Sequence, residues 1–282
     1  MGAKVPLSVV VITKNEEKNI ADCLGSVQWA DEAIVVDDFS QDRTVEIAKR
    51  FTDKIFERRM DVEGIHRNWA YQKARNEWVL SLDADESVTP ELGEEIKKLL
   101  ETGTPFSGFA IPLRNYIGGH WVRYGGWYPA GKLRLFKRDK FKYEEVGVHP
   151  RAHLDGKWSC LKSDIIHKGY PDFGHFLQSL NWQTQQEGKK WVDDKRNMSF
   201  GFACQKAIGR FFKTFVLKKG YKDGFVGFMV AIFAGLYQIM SYARYWELKK
   251  SLGAKQQVEL GKNCLSLQSS KTREARDDFQ IK

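Results

Sequence analysis

The feature that most limits the fold of this chain is a regular alternation of short apolar runs with helical stretches before about residue 115. The runs are rich in β-branched residues and have the length of buried strands; they span 8–13, 33–36, 54–57, 78–82 and 108–113. Such runs, when helical patterns separate them, are typical of a largely parallel sheet flanked by helices. The sequence therefore predicts an α/β, Rossmann-like fold for this part of the chain.

The charge of the chain indicates an anionic partner. Its 282 residues include 45 lysines and arginines against 36 acidic residues, which gives a formal net charge of +9. This balance suits nucleic acid, an anionic lipid surface or a phosphorylated substrate. A nucleic-acid-binding module would explain the charge but needs no carboxylates at the ends of strands, so we expect no nucleic-acid partner.

The cysteines and the N-terminal residues indicate a reducing compartment. Cys23, Cys160, Cys204 and Cys264 lie far apart and form no C-x-x-C pair, which is unlike a zinc ribbon or a disulfide framework. The apolar run 5–12 is followed by charged residues and lacks a small-residue cleavage site. We therefore interpret it as a buried strand rather than as a secretory signal.

Two acidic segments follow predicted strands at the point where each strand ends. Asp83-Ala84-Asp85, a D-x-D motif, comes directly after the fourth run, and Asp37-Asp38 ends the second. The carboxyl ends of the strands form the ligand-binding edge of open α/β sheets, and carboxylates there suit Mg²⁺ or Mn²⁺ on a diphosphate. The alternative is that these residues only form turns and cap helices.

Residues 116–170 are rich in glycine and aromatic residues, which predicts loops and short strands at the rim of a binding site. Aromatic side chains there either stack on sugar faces or fill a small core: Trp121, Tyr124, Trp127 and Tyr128. Basic side chains of the same region are candidate ligands of an anionic acceptor: Arg123, Lys132, Arg134, Lys137 and Arg138.

The C-terminal part of the chain has a helical pattern with a basic and apolar character. Residues 204–222 combine apolar residues at helical spacing with six basic residues and no acidic one, which predicts a basic amphipathic helix. Residues 224–243 carry no charge over 20 positions, enough to cross a membrane, but basic residues on both sides indicate no orientation. We expect this region to associate with a membrane surface. The alternative is a buried helix of an accessory helical domain.

Three motifs in this order resemble one known family: 8–17 (SVVVITKNEE), 36–42 (VDDFSQD) and 83–85 (DAD). They are similar to motifs of family-2 inverting glycosyltransferases, which have the GT-A fold. Later segments resemble the branch that contains the lipopolysaccharide core β-1,4-glucosyltransferases: 127–129 (WYP), 133–138 (LRLFKR), 148–149 (VH) and 166–170 (IHKGY). The resemblance covers roughly residues 5–250.

With the helical pattern, the resemblance implies three parts of the chain. Residues 1–170 would form a GT-A domain that binds the nucleotide sugar and carries out catalysis. Residues 171–250 would form a helical extension that associates with the membrane, and 251–282 a polar tail. The chain lacks a Q-x-x-R-W motif and a series of membrane spans, which disfavours a processive polysaccharide synthase.

The resemblance also implies a UDP-sugar site whose residues are Thr13, Asn15, Glu16, Asp38, Arg67 and Asp83. Asp38 would contact the uracil or the ribose, and Arg67 would approach the nucleotide or its phosphates. Asp85 would be the main ligand of Mg²⁺ or Mn²⁺, and His149 would complete the metal site. Asp83 would join this site through a metal-bound water, or would bind the ribose. His149 is equally consistent with a hydrogen-bonded structural histidine.

The catalytic base is the point at which this chain departs from the family. Many relatives have an acidic residue after Val-His, but here Pro150 follows His149. Glu145, Glu144 and Asp155 are the candidate bases in its place. The alternative for each is an ordinary solvated surface charge.

These expectations together describe an inverting hexosyltransferase that moves a sugar, glucose by the resemblance, from a UDP-sugar to lipopolysaccharide core or a related cell-envelope glycan. Its partners would be the nucleotide-sugar donor, an anionic glycolipid or glycan acceptor and a membrane surface. The protein would lie on the cytoplasmic face of the inner membrane, as a peripheral or monotopic protein. The alternatives are a peptide, teichoic-type or lipid-linked acceptor, or a catalytically silent UDP-sugar binder.

Overall fold

The structure is a computed structural model that describes residues 4–146 and 150–277, with side chains described as far as residue 252. The described chain divides into two compact units. The first contains residues up to 176 together with 213–231, and the second contains 177–212 and the residues from 232 onward. The chain therefore returns to its first unit after leaving it.

The strands all belong to the first unit. They are β1 (Val5–Thr13), β2 (Ala30–Asp37), β3 (Ile55–Glu57), β4 (Trp78–Asp83), β5 (Glu86–Val88), β6 (Gly108–Ile117), β7 (His120–Trp121), β8 (Gly131–Lys137), β9 (Phe141–Tyr143), β10 (Ala152–Leu154), β11 (Trp158–Cys160) and β12 (Ile165–Tyr170). The helices of the described chain are α1 (Ile20–Gly25), α2 (Thr44–Ala48), α3 (Glu63–Tyr71), α4 (Pro90–Thr102), α5 (Phe173–Asp193), α6 (Phe200–Phe212) and α7 (Gly224–Asp277).

The main sheet has the strand order β3-β2-β1-β4-β8-β6-β12-β5, and β7 and β11 pair with β6. The strands β1 to β4 are parallel to one another, whereas β8 runs antiparallel to both β4 and β6. Strands β9 and β10 form a separate antiparallel pair. The predicted α/β fold, with a mostly parallel sheet flanked by helices, is confirmed.

The core explains why the first strands are continuous apolar runs. Val9 and Val11 belong to one buried cluster, and Val10 between them belongs to another. Because successive side chains of a strand point to opposite faces, β1 is buried on both faces of the sheet. Helix α4 packs its buried residues Leu92 and Ile96 into the first cluster, and α3 packs Tyr71 into the second.

The predicted basic amphipathic helix over 204–222 is only partly correct. Helix α6 ends at Phe212, and the chain continues as a π-helical turn (Lys213–Leu217) and a 3₁₀ turn (Gly220–Asp223). Lys219 between them has a left-handed backbone with φ 57°. A regular α-helix does not accommodate such a residue, so the amphipathic pattern is interrupted here.

The uncharged run 224–243 lies within helix α7. The segment Gly220–Leu252 is long and apolar enough to cross a membrane, with a mean hydropathy of 1.7 over its most apolar window. Only 39% of that window is buried within the protein. Length and composition alone also fit the core helix of a soluble protein, so association with a membrane stays a prediction.

Candidate active site

The register of the parallel strands brings the acidic strand ends to one edge of the sheet. Thr13, the last residue of β1, is opposite Asp37 of β2, and Ile12 is opposite Asp83 of β4. The amide of Asp38 donates to the carbonyl of Thr13 at 2.9 Å. Residues Thr13, Asp38 and Asp83, each predicted from the sequence, are thus brought together at the carboxyl edge.

Asp38 is held as a carboxylate near this edge. Its Oδ2 accepts a hydrogen bond from Lys14 Nζ at 2.8 Å, and its Oδ1 accepts one from the Met60 amide at 3.2 Å. Burial alone would raise the pKa of Asp38, but Lys14 and the Met60 amide outweigh it and lower the pKa below its usual value. The neighbouring Asp37 instead accepts from the backbone and hydroxyl of Ser40, and so shapes the turn after β2.

The loop after β1 places two further predicted residues. The amide of Asn15 donates to Ser40 Oγ at 2.8 Å, and its side-chain oxygen accepts from the Gln41 amide at 2.8 Å, so Asn15 joins this loop to the turn after β2. Glu16 lies within electrostatic range of Asp85. Burial, and then the nearby carboxylates, raise its pKa. Among the described residues, the buried hydroxyl of Thr13 has no hydrogen-bond partner.

Asp83 is bound by two arginines. Arg67 Nη2 contacts its Oδ1 at 3.0 Å, and Arg134 Nη2 contacts its Oδ2 at 2.6 Å. Arg134 also contacts Glu86 Oε1 at 2.5 Å, and Glu86 accepts a hydrogen bond from the Asp83 amide at 3.0 Å. Burial would raise the pKa of Asp83, but Arg134 and Arg67 hold it well below its usual range.

Arg134 was expected to bind an anionic acceptor, and the structure shows that this expectation was wrong. Its side chain is only 3% exposed, because its position on β8 directs it beneath the carboxyl edge, where Asp83 and Glu86 neutralise it. Arg67 is 13% exposed and also contacts Glu63 at 3.0 Å. Its buried Nη1 has no partner among the described residues and remains available as a donor.

Asp85 faces a histidine to which the sequence assigned no role. His167 Nε2 lies 3.2 Å from Asp85 Oδ2, and His167 Nδ1 lies 2.7 Å from Asn115 Oδ1. The amide nitrogen of Asn115 donates to the carbonyls of Leu113 and Trp127, each at 3.3 Å, which fixes its oxygen toward the imidazole. Nδ1 therefore carries a proton, and Nε2 is directed at Asp85.

The electrostatics of this pair follow from the same contacts. Burial would lower the pKa of His167, but the hydrogen bond and the charge of Asp85 raise it above the usual value. His167 is brought to Asp85 because β12 pairs antiparallel with β5, opposite Glu86. The sequence shows a histidine within a short strand that begins with two isoleucines, which is a signal for a functional role. Its contact with Asp85 depends on the pairing of β12 with β5, which the sequence does not show.

The predicted metal ligands are only partly described. Val148 and His149 lie outside the described residues, so the predicted role of His149 stays a prediction. Within the described residues, no group of three or more His, Cys, Asp or Glu side chains could hold a metal ion. Both oxygens of Asp83 contact arginines, whereas Asp85 contacts His167. Asp85 and His167 are thus the described pair that best fits a divalent cation.

The candidate bases lie in two different places. The carbonyl of Glu144 approaches the start of α3 so closely that a Cβ on Gly64 would lie 1.7 Å from it. Glu145 is exposed and lies 2.8 Å from Lys142. These two glutamates are therefore close to the helix that carries Arg67.

Asp155 is not brought to this edge. Its amide donates to the carbonyl of Lys140 at 2.8 Å, and its carboxylate contacts the same lysine at 2.5 Å. Lys140 follows Lys137, which is opposite Trp78 at the beginning of β4. Asp155 therefore lies at the amino edge of the sheet, whereas Asp83 lies at the carboxyl edge.

An aromatic and basic cluster lies at the carboxyl end of β6. The guanidinium groups of Arg114 and Arg123 lie 4.9 and 4.1 Å from the ring centre of Trp121. Arg114 also contacts Asp164 at 2.6 Å, and Asp164 accepts from the Tyr128 hydroxyl at 3.0 Å. The buried Nε1 of Trp121 has no partner among the described residues.

Trp127 instead fills a small core. Its ring packs against Tyr170 and Phe176, at 6.1 and 5.8 Å between ring centres. The structure thus separates the aromatic residues of this region. Trp121 lies between charged groups, and Trp127 lies in an apolar cluster with Ile117 and Val122.

Comparison with known proteins adds to this geometry. The model of the family described as glycosyl transferase family 2 matches residues 8–153. An uncharacterised glycosyltransferase of Rickettsia typhi is 27% identical over 258 residues, which cover 86% of this chain and 86% of that protein. LpsC of Rhizobium meliloti, a lipopolysaccharide core biosynthesis glycosyltransferase, is 22% identical over 268 residues, which cover 91% of this chain and 97% of that protein.

A third relative is TarS of Staphylococcus aureus, a poly(ribitol-phosphate) β-N-acetylglucosaminyltransferase. Its sequence is 34% identical over 96 residues, which cover 30% of this chain and 17% of that protein. The crystal structure of TarS 1–349 in complex with UDP aligns with 87% of this chain and 91% of that chain, at a TM-score of 0.45 and 16% identity.

Proposed function

The chain belongs to glycosyltransferase family 2, and we propose that it transfers a hexose from a UDP-sugar to a hydroxyl group of an anionic cell-envelope glycan, with inversion at the anomeric carbon. Glucose is the sugar that the motif resemblance favours, and lipopolysaccharide core is the acceptor. The name of LpsC, which aligns with most of this chain, supports this class of acceptor.

The observation that carries the proposal is the common edge shared by Asp38, Asp83 and Asp85. Asp38 is an ionised acceptor of hydrogen bonds and suits the uracil or the ribose. Arg67 contacts Asp83 through Nη2, and its Nη1, which has no partner among the described residues, suits a phosphate oxygen. These groups can thus bind the two ends of a nucleoside diphosphate.

Asp85 and His167 are proposed to hold a divalent cation, Mg²⁺ or Mn²⁺, against the diphosphate. A carboxylate and an imidazole suit such a cation when phosphate oxygens and water supply the other ligands. Asn115 keeps Nε2 of His167 directed toward Asp85, as an outer partner of a metal-bound histidine does. The bound cation would neutralise the charge that grows on the departing UDP.

A carboxylate must also take the proton of the acceptor hydroxyl. Glu145 and Glu144 are proposed for this role, because their segment lies against the start of α3, which carries Arg67. Asp155 receives no support, because it lies at the opposite edge of the sheet. The proposed base would remove the proton as the hydroxyl oxygen attacks the anomeric carbon from the face opposite UDP.

The cluster around Trp121 supports an anionic glycan as the acceptor. The indole ring of Trp121 is held between Arg114 and Arg123, and its buried Nε1 has no hydrogen-bond partner among the described residues. Arg123 is exposed and can contact a phosphate or a carboxylate. A teichoic-type acceptor shares this chemistry, and the name of the relative TarS keeps it as the second candidate.

We also place the protein at the cytoplasmic face of the inner membrane, as a peripheral or monotopic protein. The exposed apolar residues of α6 and the apolar start of α7 support this placement. Several basic residues lie among them, which suits an anionic membrane surface.

The proposal is tested by Asp85→Asn with Asp139→Asn as its matched control. Asp139 is 78% exposed, pairs with Arg138, and follows β8 at the amino edge of the sheet. Asp85→Asn should lower the release of UDP by more than about 100-fold and remove the divalent-ion dependence of donor binding. Asp139→Asn should leave both unchanged. Equal rates for the two variants would overturn the assignment of the site.

The assignment of the base needs its own comparison. Glu145→Gln and Glu144→Gln should lower the rate of transfer while donor affinity stays unchanged, and Asp155→Asn should have no effect. A protein that binds UDP-sugar with a divalent cation but never releases UDP would instead be a catalytically silent binder. Donor binding measured by calorimetry alongside UDP release separates the two cases.

A further inference from the structure

The segment between α6 and α7 forms an exposed apolar surface on the first unit. We call residues 213–225 the apolar–basic turn. Its apolar side chains are largely in solvent: Val216 is 49% exposed, Leu217 76%, Tyr221 50% and Phe225 68%. Exposed apolar side chains that cluster in this way are typical of a surface that binds a protein or a membrane. We therefore expect these four side chains to contact a partner.

The charge of the apolar–basic turn has a single sign on its surface. Its exposed charged side chains are Lys213, Lys218, Lys219 and Lys222. The one acidic residue of the turn, Asp223, is buried and accepts hydrogen bonds from the amides of Arg123 and Tyr124, at 3.3 and 2.8 Å. The apolar side chains are therefore surrounded by positive charge.

The backbone of the apolar–basic turn is closely packed and hydrogen-bonded, unlike that of an irregular loop. A Cβ on Gly227 would lie 1.9 Å from the carbonyl oxygen of Gly220, and a Cβ on Gly220 would lie 2.7 Å from that of Thr214. These backbones approach so closely that larger residues are excluded. The Lys218 amide donates to the Lys213 carbonyl at 2.9 Å, which closes the π-helical turn. Packing thus holds the apolar side chains outward.

The turn is also joined to the loop that carries the cluster around Trp121. The Gly125 amide donates to the Lys218 carbonyl at 2.9 Å, and Lys222 Nζ lies 5.5 Å from the ring centre of Tyr124. At the other end of that loop, the Trp127 carbonyl accepts from Asn115, whose oxygen contacts His167. The same loop therefore borders the turn on one side and the candidate active site on the other.

We propose that the apolar–basic turn docks on an anionic lipid bilayer, with Leu217 and Phe225 inserted among the headgroups and the lysines on the lipid phosphates. A polyanion such as nucleic acid would match the lysines but not the apolar side chains between them. A bilayer surface matches both. The docked turn holds the loop of Trp121 at the membrane surface, where a lipid-anchored acceptor would be presented; that last step rests on the proposed function.

The test is binding of the full chain to protein-free vesicles. The vesicles contain phosphatidylcholine alone, or phosphatidylcholine and phosphatidylglycerol at roughly 70:30. Wild-type protein should sediment with the anionic vesicles and not with the neutral ones. Leu217→Ser/Phe225→Ser should weaken the binding by more than about tenfold. Lys219→Gln/Lys222→Gln should weaken it by about fivefold for each lysine, since each contributes roughly 1 kcal/mol near an anionic surface.

The matched control is Trp158→Ser. Trp158 is 60% exposed but lies on β11, which pairs with the beginning of β6 at the amino edge of the sheet. This variant should bind anionic vesicles as the wild type does. All variants should keep the thermal midpoint of the wild type, because the replaced side chains are exposed. They should also keep its UDP-sugar affinity, because none of these residues lies in the candidate active site.

Equal binding of the wild type to neutral and anionic vesicles would overturn the proposal, and so would unchanged binding of Leu217→Ser/Phe225→Ser. Failure to bind any protein-free vesicle would also overturn it, in favour of a protein partner. The measurement requires neither donor nor acceptor. Vesicle binding can therefore be observed when UDP release is absent, and can be absent when UDP release is normal. A failure of this proposal is thus distinguishable from a failure of the proposed function.

Discussion

Arg134 is a buried cation that pairs with two carboxylates, Asp83 and Glu86, which differ in burial and in their other partners. Asp83 is partly exposed and bound by a second arginine, whereas Glu86 is fully buried and has Arg134 as its ion-pair partner. Burial raises the pKa of Glu86, and Arg134 opposes that effect. Loss of the guanidinium would therefore leave a buried carboxylate without compensation, which costs more than the loss of a surface pair.

We predict that Arg134→Met destabilises the protein by about 3–5 kcal/mol at neutral pH. Without Arg134 the pKa of Glu86 rises further above its unfolded value, which destabilises the fold as pH increases above that unfolded value. Asp83, whose pKa is lowered in the folded protein, contributes stability above its unfolded pKa, and the variant loses part of that contribution. The loss of stability should thus grow between about pH 4 and pH 7.

Urea denaturation of wild type and variant at both pH values checks this prediction. Arg43→Met is the control, because Arg43 is exposed and pairs with Glu46 on the surface. Its effect on stability should be small and should not change with pH in this window. A pH-independent loss for Arg134→Met would show that packing, and not the charge of Glu86, accounts for the effect.

At the scale of residues, sequence reasoning identified the acidic groups better than their partners. Asp38 and Asp83 follow apolar runs, and this pattern is enough to place them at one edge of a sheet. The burial of Arg134 and the contact of His167 with Asp85 depend on which strands are neighbours. A single sequence contains no signal for that choice, so these two residues were misassigned or missed.

At the scale of elements, the parallel half of the sheet was predictable because its central strands, β1 and β4, are buried on both faces and have continuous apolar sequences. The strand β8 was not, since it inserts antiparallel between β4 and β6 and is reached through a glycine-rich loop. The regular helix predicted over 204–222 ends at Phe212 and is followed by a π-helical turn and the left-handed Lys219. The next residue, Gly220, lies so close to Thr214 that a Cβ there would be 2.7 Å from its carbonyl oxygen, and helical periodicity does not report this packing.

The contact between α3 and the segment 144–146 makes Gly64 a sensitive position. A Cβ there would lie 1.7 Å from the Glu144 carbonyl oxygen, and the Gly64 amide donates to the Val146 carbonyl at 3.3 Å. We predict that Gly64→Ala displaces this segment and costs about 1–3 kcal/mol. It should also weaken donor binding, because the same helix holds Arg67 at Asp83.

Gly25→Ala is the matched control for this substitution. Gly25 is the last residue of α1, and the nearest neighbour of a Cβ there would be 3.8 Å away, which is ordinary contact. The control should keep the thermal midpoint of the wild type or raise it slightly. Equal thermal midpoints for both variants would show that the close approach of Glu144 is not a constraint in solution.

At the scale of the whole molecule, the chain contributes to its first unit twice. Residues 213–231 belong with the sheet, although α5 and α6 separate them from it in sequence. The net charge of +9 and the helical pattern were readable from the sequence, and they predicted a separate C-terminal extension. The return of the chain was not readable, because it depends on Asp223 and Val230, which resemble any other residues of a helical region.

This arrangement predicts different results for two truncations. A chain that ends after residue 199 loses Asp223, the acceptor of the Arg123 and Tyr124 amides, and Val230, which packs on Ile117 and Val122. Its first unit should therefore unfold at lower temperature, and hydrogen exchange at residues 121–128 should lose protection. A chain that ends after residue 252 keeps these contacts and should retain both properties.

Hydrogen exchange monitored by mass spectrometry separates this effect from a change in membrane binding, since it is measured without lipid. If residues 200–252 did not contact the loop 121–128, hydrogen exchange at 121–128 would be identical in the two truncated chains. That result would contradict the prediction. The single substitution Asp223→Asn isolates the cause, because it keeps the segment but weakens the acceptor of the two amides. Hydrogen exchange at 121–128 in this variant should be intermediate between the two truncated chains. The variant weakens the hydrogen bonds that Asp223 accepts but keeps the apolar contacts of Val230.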